Sequence, residues 1–194
     1  MVRKNNKKGA GFMSNKWIYD KVQSLVKRHK TRNPEELARE LNVKIRYFSD
    51  TKSLLGMYKV VMRNRFIFIP CNIGHLKKTV LAHELGHDQL HRDYCKDGAS
   101  FHESKIFNPT NKYEIEANIF AAHLLIPDEE VLRLIKYAND DRDLANQLEV
   151  DINLLNLKIS EMAKLKLLNL NNTYIERPDC QFLKAYKPLG KDYF

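Results

Sequence analysis

Cysteine is scarce in this sequence, and long apolar runs are absent from it. The chain of 194 residues has three cysteines, Cys71, Cys95 and Cys180, which lie far apart and form no C-x-x-C pair. This pattern gives no sign of a disulfide framework or of a cysteine-based metal or redox centre, so we expect free thiols. No run of about 18 apolar residues occurs, and no membrane span is predicted. The basic N-terminus lacks the apolar stretch of a secretory signal, which predicts a cytoplasmic protein.

Acidic residues are outnumbered by basic ones. The 24 aspartates and glutamates stand against 33 lysines and arginines, which gives a formal net charge of +9. The excess is spread over the N-terminal head, the predicted helices and the tail, so nucleic acid is not expected as a direct partner. A basic surface would equally suit an acidic protein partner, and it also favours solubility.

The motif His-Glu-Leu-Gly-His at residues 83–87 lies late in an apolar-periodic run that predicts an amphipathic helix. On a helix His83 and His87 are one turn apart, so both imidazoles face the same side and can share one metal ion. Zn²⁺ is the expected metal, because it accepts neutral imidazole and takes three protein ligands plus a water in catalytic sites. Glu84 follows the first ligand and is predicted to be the general base toward that water.

A second predicted helix over residues 112–127 offers two carboxylates as candidates for the third ligand. If Asn111 is the N-cap, Glu114 falls at the third helical position, where it would close a capping box without any metal. Glu116 lies on a mostly apolar face directed toward the core, where a carboxylate is costly unless it is paired or bound to a cation. We therefore predict Glu116 as the metal ligand and Glu114 as the cap.

Three further residues are candidates for supporting roles at this site. His91 lies four residues after His87 and so continues the four-residue spacing of the two motif histidines. It is nevertheless about 12 Å along the axis from His83, too far to share the same ion on a straight helix. The oxyanion of a hydrolytic reaction needs a donor besides the metal, and Tyr58, His91 and His123 are all candidates. His123 lies two turns beyond Glu116 and could instead orient that carboxylate, or it could be an ordinary core histidine.

Apolar patterns predict three strands before the metal-binding helix. Residues 43–48 alternate between apolar and polar, and residues 55–62 and 65–69 flank a hairpin turn at Arg63-Asn64. The strand over residues 65–69 is continuously apolar, so we expect it at the centre of the sheet.

The chain is predicted to divide into a basic head over residues 1–13, a core over 14–127, a helical segment over 128–168 and a loop-rich tail over 169–194. Residues 92–110 show no periodicity and are interpreted as a loop within the core. The helical segment has the pattern of a helix-turn-helix, but its second helix is poor in side chains that read bases. We therefore expect this segment to pack against the core.

The two motifs together resemble the ImmA/IrrE family of zinc metallopeptidases. The resemblance covers roughly Arg32 to Leu165 and rests on residues 83–87 and on a second pattern, Glu114-x-Glu116-Ala117-Asn118-x-Phe120-Ala121-x-x-Leu124-Leu125-x-Pro127. It implies Zn²⁺ bound by His83, His87 and Glu116, with Glu84 as the base. Family members with known roles act inside bacteria and relieve repression by cutting a helix-turn-helix repressor. The implied partner is such a repressor, of a phage or other mobile element.

Together with the predicted elements, the resemblance implies an α+β fold. We expect a zincin-like core in which a small three-stranded sheet with antiparallel strands packs on the helix of residues 83–87. A C-terminal helical subdomain is expected to follow it.

Two other functions are compatible with the motifs. One is a zinc-containing regulator that binds a repressor or DNA without proteolysis, but a purely structural zinc site needs no base at Glu84 and is usually closed by a fourth protein ligand. The other is a hydrolase of small peptides or cell-wall amides, which the missing secretion signal disfavours.

Overall fold

The computed structural model describes residues 15–49, 54–95, 100–103, 112–175 and 178. The helices are Lys16–His29 (α1), Pro34–Glu40 (α2), Lys77–Leu90 (α3), Arg92–Cys95 (α4), Lys112–Leu125 (α5), Asp128–Leu134 (α6), Asp141–Gln147 (α7) and Ile152–Lys164 (α8). The strands are Lys44–Phe48 (β1), Gly56–Val61 (β2), Asn64–Pro70 (β3) and Ser100–Glu103 (β4). This arrangement confirms the predicted α+β fold.

The four strands form one sheet in the order β1-β3-β2-β4. β1 runs parallel to β3, whereas β2 is antiparallel to both β3 and β4. Three strands precede α3, and β3 lies between two neighbours, as its continuous apolar pattern predicted. The fourth strand, β4, falls within the segment that we interpreted as a loop, because four residues are too few to show a period.

The hairpin between β2 and β3 turns one residue earlier than predicted. Met62 and Arg63 both adopt a left-handed backbone, with φ of 48° and 63°. Two successive residues with positive φ match the right-handed twist of the flanking strands, and this match makes such tight turns common in hairpins. Asn64 is consequently the first residue of β3.

α3 is the central helix of the molecule, since it packs against the sheet on one side and against α5 on the other. Buried side chains from β2 and β3, such as Tyr58, Ile67 and Ile69, meet the apolar face of α3, which carries Val80, Leu81 and Leu85. α3 is therefore covered over most of its circumference, and its motif histidines are enclosed within the core.

The C-terminal helices pack onto this core. α8 contacts α5, and residues from both helices belong to one buried apolar cluster. Nearly every side chain in the middle of α8 is buried, from Leu154 to Met162. Burial to this degree agrees with the expected packing of this segment against the core.

No helix among the described residues combines the length and the apolarity needed to cross a bilayer. Of the cysteines, Cys71 is exposed and Cys95 is buried, and both are free thiols. Cys180 lies outside the described residues.

Candidate metal centre

Two histidines of α3 and one carboxylate of α5 converge at a single buried point. The Nε2 atoms of His83 and His87 are 3.1 Å apart. Glu114 Oε2 lies 3.1 Å from the first and 3.5 Å from the second. A tetrahedral zinc site with bonds of about 2.0 to 2.2 Å places its donor atoms roughly 3.3 to 3.6 Å apart. The three donor atoms therefore fit a single metal ion.

The structure places the two glutamates of α5 differently from the roles that the sequence predicted for them. Glu114, rather than Glu116, meets the pair of histidines. Glu116 is buried, as its position on the helix predicted, but its Oε2 lies 2.9 Å from Nε2 of His91. An imidazole thus satisfies the buried carboxylate, and no metal is needed to explain it. The expected cap residue, Asn111, lies outside the described residues.

The outer nitrogens of both motif histidines are held by neighbouring side chains. His83 Nδ1 lies 2.8 Å from the carbonyl oxygen of Asn118, and His87 Nδ1 lies 3.0 Å from Nδ1 of His91. Asn118 can only accept there, so His83 carries its proton on Nδ1. If His91 donates Nε2–H to Glu116, its Nδ1 accepts from His87 Nδ1–H in the same way. Both Nε2 lone pairs then face the centre, as metal ligation requires.

The charge states of the site also suit a metal. Burial lowers the pKa of His87 to about 3, so its imidazole is neutral near pH 7. Burial alone would raise the pKa of Glu114, but its contacts with His83 and His87 outweigh burial and hold that pKa well below its ordinary value. Neutral imidazole and ionised carboxylate are the forms that bind metal ions.

Glu84 is fully buried on α3, beside His83, and the backbone of β2 lies directly against it. A Cβ atom at Gly56 would stand 2.5 Å from Glu84 Oε1 and 2.7 Å from a methyl carbon of Val80. Only glycine leaves room for the carboxylate at this point. The first residue of β2 therefore helps to fix where the predicted base lies.

A second glycine allows the two metal-site helices to approach. A Cβ atom at Gly86 would stand 2.9 Å from the Cα and 3.1 Å from the carbonyl oxygen of Ala117. Since these are backbone atoms of α5, the contact can be relieved only by moving one helix away from the other. Small residues on both helices thus bring the carboxylate of α5 within reach of the histidines of α3.

The family model for the IrrE N-terminal-like domain, Peptidase_M78, matches residues 38–160. The chain belongs to the ImmA/IrrE family. It is also 37% identical over 146 residues to "Uncharacterized immunity region protein 2" of Bacillus phage phi105, an alignment that covers 75% of this chain and 85% of the relative. ImmA/IrrE proteins form a metallopeptidase family, which agrees with a possible metal site of two histidines and one glutamate.

In this ImmA/IrrE chain Tyr58 is engaged away from the three donor atoms. Its hydroxyl donates to Asp88 Oδ1 at 2.8 Å, and Arg65 donates to both oxygens of the same carboxylate, at 3.1 and 2.9 Å. Burial and the neighbouring Asp88 raise the pKa of Tyr58 far above its ordinary value. The phenol is therefore a neutral donor committed to the network around Asp88.

His123 is also placed elsewhere than the sequence suggested. Its Nδ1 accepts from the ammonium of Lys158 at 3.1 Å, and it lies nine residues after Glu114, about 13 Å along the helix axis. The described partner of Glu116 is instead His91. Of the three supporting candidates, only His91 contacts a member of the metal-binding group.

Asn118 was not predicted as a site residue, although a pattern in the sequence could have found it. It lies four residues after Glu114 on α5 and therefore on the same face. Both residues belong to the second motif that the resemblance uses.

Proposed function

We propose that this chain is a cytoplasmic, zinc-dependent endopeptidase that cleaves a helix-turn-helix repressor of a phage or other mobile element and so relieves repression. The observation that carries the proposal is the donor group of His83, His87 and Glu114. Among the described residues no fourth histidine, cysteine or carboxylate joins this group. A set of three protein ligands, with Glu84 beside it, is typical of catalytic rather than structural zinc sites.

The side chains around the centre suit the hydrolysis of a peptide bond. When bound by His83, His87 and Glu114, Zn²⁺ would supply Lewis-acid chemistry and lower the pKa of a water molecule. Glu84 takes the proton of the attacking water and passes it to the leaving amine. Asn118 and His91 hold the two imidazoles in the orientation and tautomer that ligation needs.

The sheet offers a place for an extended substrate. β4 is one edge of the described sheet, and its Glu103 pairs with Gly56, whose backbone lies against Glu84. An extended peptide can add to such an edge through main-chain hydrogen bonds. β1, the other edge, is separated from β4 by two strands. We therefore assign β4 as the strand that aligns the substrate near the base.

The repressor as substrate is supported by the relative from Bacillus phage phi105, which is named as an immunity region protein. Phage immunity depends on repression, so a repressor is the substrate that we propose for a peptidase of this kind. The alternative is a zinc-containing regulator that binds a repressor or DNA without cutting.

The test is co-expression of this chain with candidate helix-turn-helix repressors from the same genome, followed by intact-mass analysis of each repressor. Fragments are expected with the wild type and with Glu130→Gln, a control that removes one exposed carboxylate on α6. None is expected with Glu84→Gln. An intact repressor throughout, in a stable complex with the zinc-loaded chain, would favour the regulator and overturn the peptidase.

A further inference from the structure

The face of the sheet that is turned away from α3 carries an unusual set of side chains. Side chains alternate between the two faces of a strand, and Tyr58 and Ile67 point into the core. Their sequence neighbours therefore lie on the opposite side. We call this surface the outer sheet face; its described residues are Lys44, Arg46, Phe48, Met57, Lys59, Val61, Asn64, Phe66 and Phe68.

A pair of aromatic rings lies at the middle of the outer sheet face. Phe66 and Phe68 of the central strand stack with their centroids 5.9 Å apart and their planes 28° from parallel. Lys44 Nζ lies 5.6 Å and Arg46 Cζ 5.8 Å from the centroid of Phe66. Lys59 is the register partner of Phe66 on the opposite side. Cations from both neighbouring strands thus flank the rings.

The rings do not belong to the core. Phe66, Phe68 and Met57 are all partly exposed, and none is among the apolar side chains that pack against the buried cluster. The charged positions described on this face are all basic, and no aspartate or glutamate alternates with them on β1, β2 or β3. The outer sheet face is therefore aromatic at its centre and positive on both sides.

We propose that the outer sheet face binds single-stranded nucleic acid, with bases stacked on Phe66 and Phe68 and phosphates paired with Lys44, Arg46 and Lys59. Exposed aromatic rings on a sheet stack unpaired bases, while basic side chains follow the backbone. An acidic protein would use the three cations but has no need of two rings between them. In a duplex the base faces are already stacked, so the rings favour a single strand.

The sequence did not predict this surface, because its three cations lie on two separate strands. Lys59 is on a different strand from Lys44 and Arg46, and only the pairing of both strands with β3 brings the three together. The inference is independent of the proposed peptidase activity, since the outer sheet face is on the opposite side of the sheet from α3.

The test is fluorescence anisotropy with a labelled oligothymidylate of about 12 nucleotides, using the full zinc-loaded chain. Replacing both rings, Phe66→Leu with Phe68→Leu, keeps an apolar surface but removes the stacking faces, so affinity should fall by about tenfold or more. Replacing the cations, Lys44→Ala with Arg46→Ala and Lys59→Ala, should reduce the slope of log affinity against log salt by about 2. If the ring variant fails to fold, the triple replacement of the cations still tests the proposal.

A matched control removes the same net charge from another exposed surface, the helix α1, by Lys21→Ala with Lys27→Ala and Arg28→Ala. This control should bind nearly as tightly as the wild type. Equal weakening by both triple variants would show that net charge alone drives binding and would overturn the proposal. The proposal would also be overturned if the oligonucleotide did not bind at about 50 mM salt, or if a duplex of the same length bound more tightly. A third contrary result would be polyglutamate that binds as tightly as the oligonucleotide, with the same affinity for the wild type and the ring variant. The last result would assign the surface to an acidic protein.

Discussion

At the scale of single residues, two glutamates that are only two positions apart on α5 contact different partners. Glu114 contacts both motif histidines, whereas Glu116 contacts His91, which in turn contacts His87. A direct ligand and a residue that supports a ligand differ in how strongly their loss weakens metal binding. The two positions can therefore be separated by experiment.

Glu114→Ala is expected to abolish stoichiometric zinc binding, because it removes one of three donor atoms. Glu116→Ala should retain zinc with an affinity lowered by about 10- to 100-fold, since it only loosens the support of His87. Metal content after gel filtration and competition with a chromophoric chelator measure both effects. If Glu116→Ala lost zinc and Glu114→Ala kept it, the ligand assignment would be reversed.

Gly56→Ala should separate metal binding from catalysis. The added methyl group would overlap the carboxylate of Glu84, while the donor atoms on α3 and α5 are untouched. Zinc content should match the wild type, and repressor cleavage should fall by about a hundredfold, as misplacing a reacting group by about 1 Å can do. Val61→Ala, at an exposed position of the same strand, should cleave normally. Unchanged cleavage in Gly56→Ala would remove Glu84 from its proposed role.

The sequence predicted that the two histidines lie together, but not that Glu114 is the carboxylate beside them, and the reason is physical. His83, Glu84 and His87 lie on one helix, where the spacing alone fixes their mutual geometry. Glu114 and Glu116 lie on a second helix, and which of them reaches the histidines depends on how that helix is rotated against the first. The free-energy cost of burying a carboxylate indicated correctly that Glu116 needs a partner. It did not indicate which residue that partner is.

The packing of α3 against α5 is the decisive contact at the scale of secondary-structure elements. Gly86 and Ala117 allow the helices to approach with almost no side chain between them. Glycine is disfavoured inside a helix by about 1 kcal/mol relative to alanine. A glycine in the middle of α3 is therefore explained by this contact and not by helix formation.

Gly86→Ala should destabilise the protein despite the better helix propensity of alanine. Its methyl group would press on the backbone of α5, and overpacking of this kind costs about 1 to 3 kcal/mol. Zinc affinity should fall as well, because the helices that carry the donors are forced apart. Thermal unfolding and chelator competition measure these effects, with the exposed α3 substitution Lys78→Ala as control. A more stable Gly86→Ala protein would contradict the described contact.

Local pattern also explains which elements could be predicted. Helices and longer strands have a period that can be read from a few turns of chain, so α3, α5 and β3 were expected. The pairing of β4 with β2 and the parallel pairing of β1 with β3 join segments distant in sequence. Nothing local encodes such partners, and β4, with only four residues, is also too short to show a period.

At the scale of the whole molecule, a buried polar cluster joins the C-terminal helices to the core. Lys158 of α8 donates to His123 of α5 at 3.1 Å and to Asp128 of α6 at 2.5 Å. Tyr19 of α1 donates to the other oxygen of Asp128 at 2.7 Å. The cluster crosses the predicted boundary between residues 127 and 128, as does the family match. The division into separate segments there stays a prediction.

His123 should make folding stability fall at acidic pH. Burial, followed by the charge of Lys158, lowers its pKa from 6.5 to about 3 in the folded protein. Between these values the unfolded chain binds more protons, so the free energy of unfolding rises with pH and is lost as pH falls below about 6.5, by up to about 1.4 kcal/mol per unit. Denaturant titrations between pH 4 and 7 should show a shallower dependence for His123→Gln.

His75→Gln is the control for this measurement, because His75 is exposed beside the N-terminus of α3. Its pH dependence should match that of the wild type. If His123→Gln also matched the wild type, protonation of the buried cluster would not be what destabilises the fold in acid.

The donor atoms come from two helices that must dock before they can meet, so we expect the ion to bind the folded chain more tightly than the unfolded one. Any ligand with that preference stabilises the fold by mass action, in proportion to the logarithm of its free concentration over its dissociation constant. The unfolded fraction that cellular proteases remove then depends on the supply of zinc. We expect the cellular half-life of this protein to shorten when the cell is starved of zinc, whether or not the protein is an active peptidase.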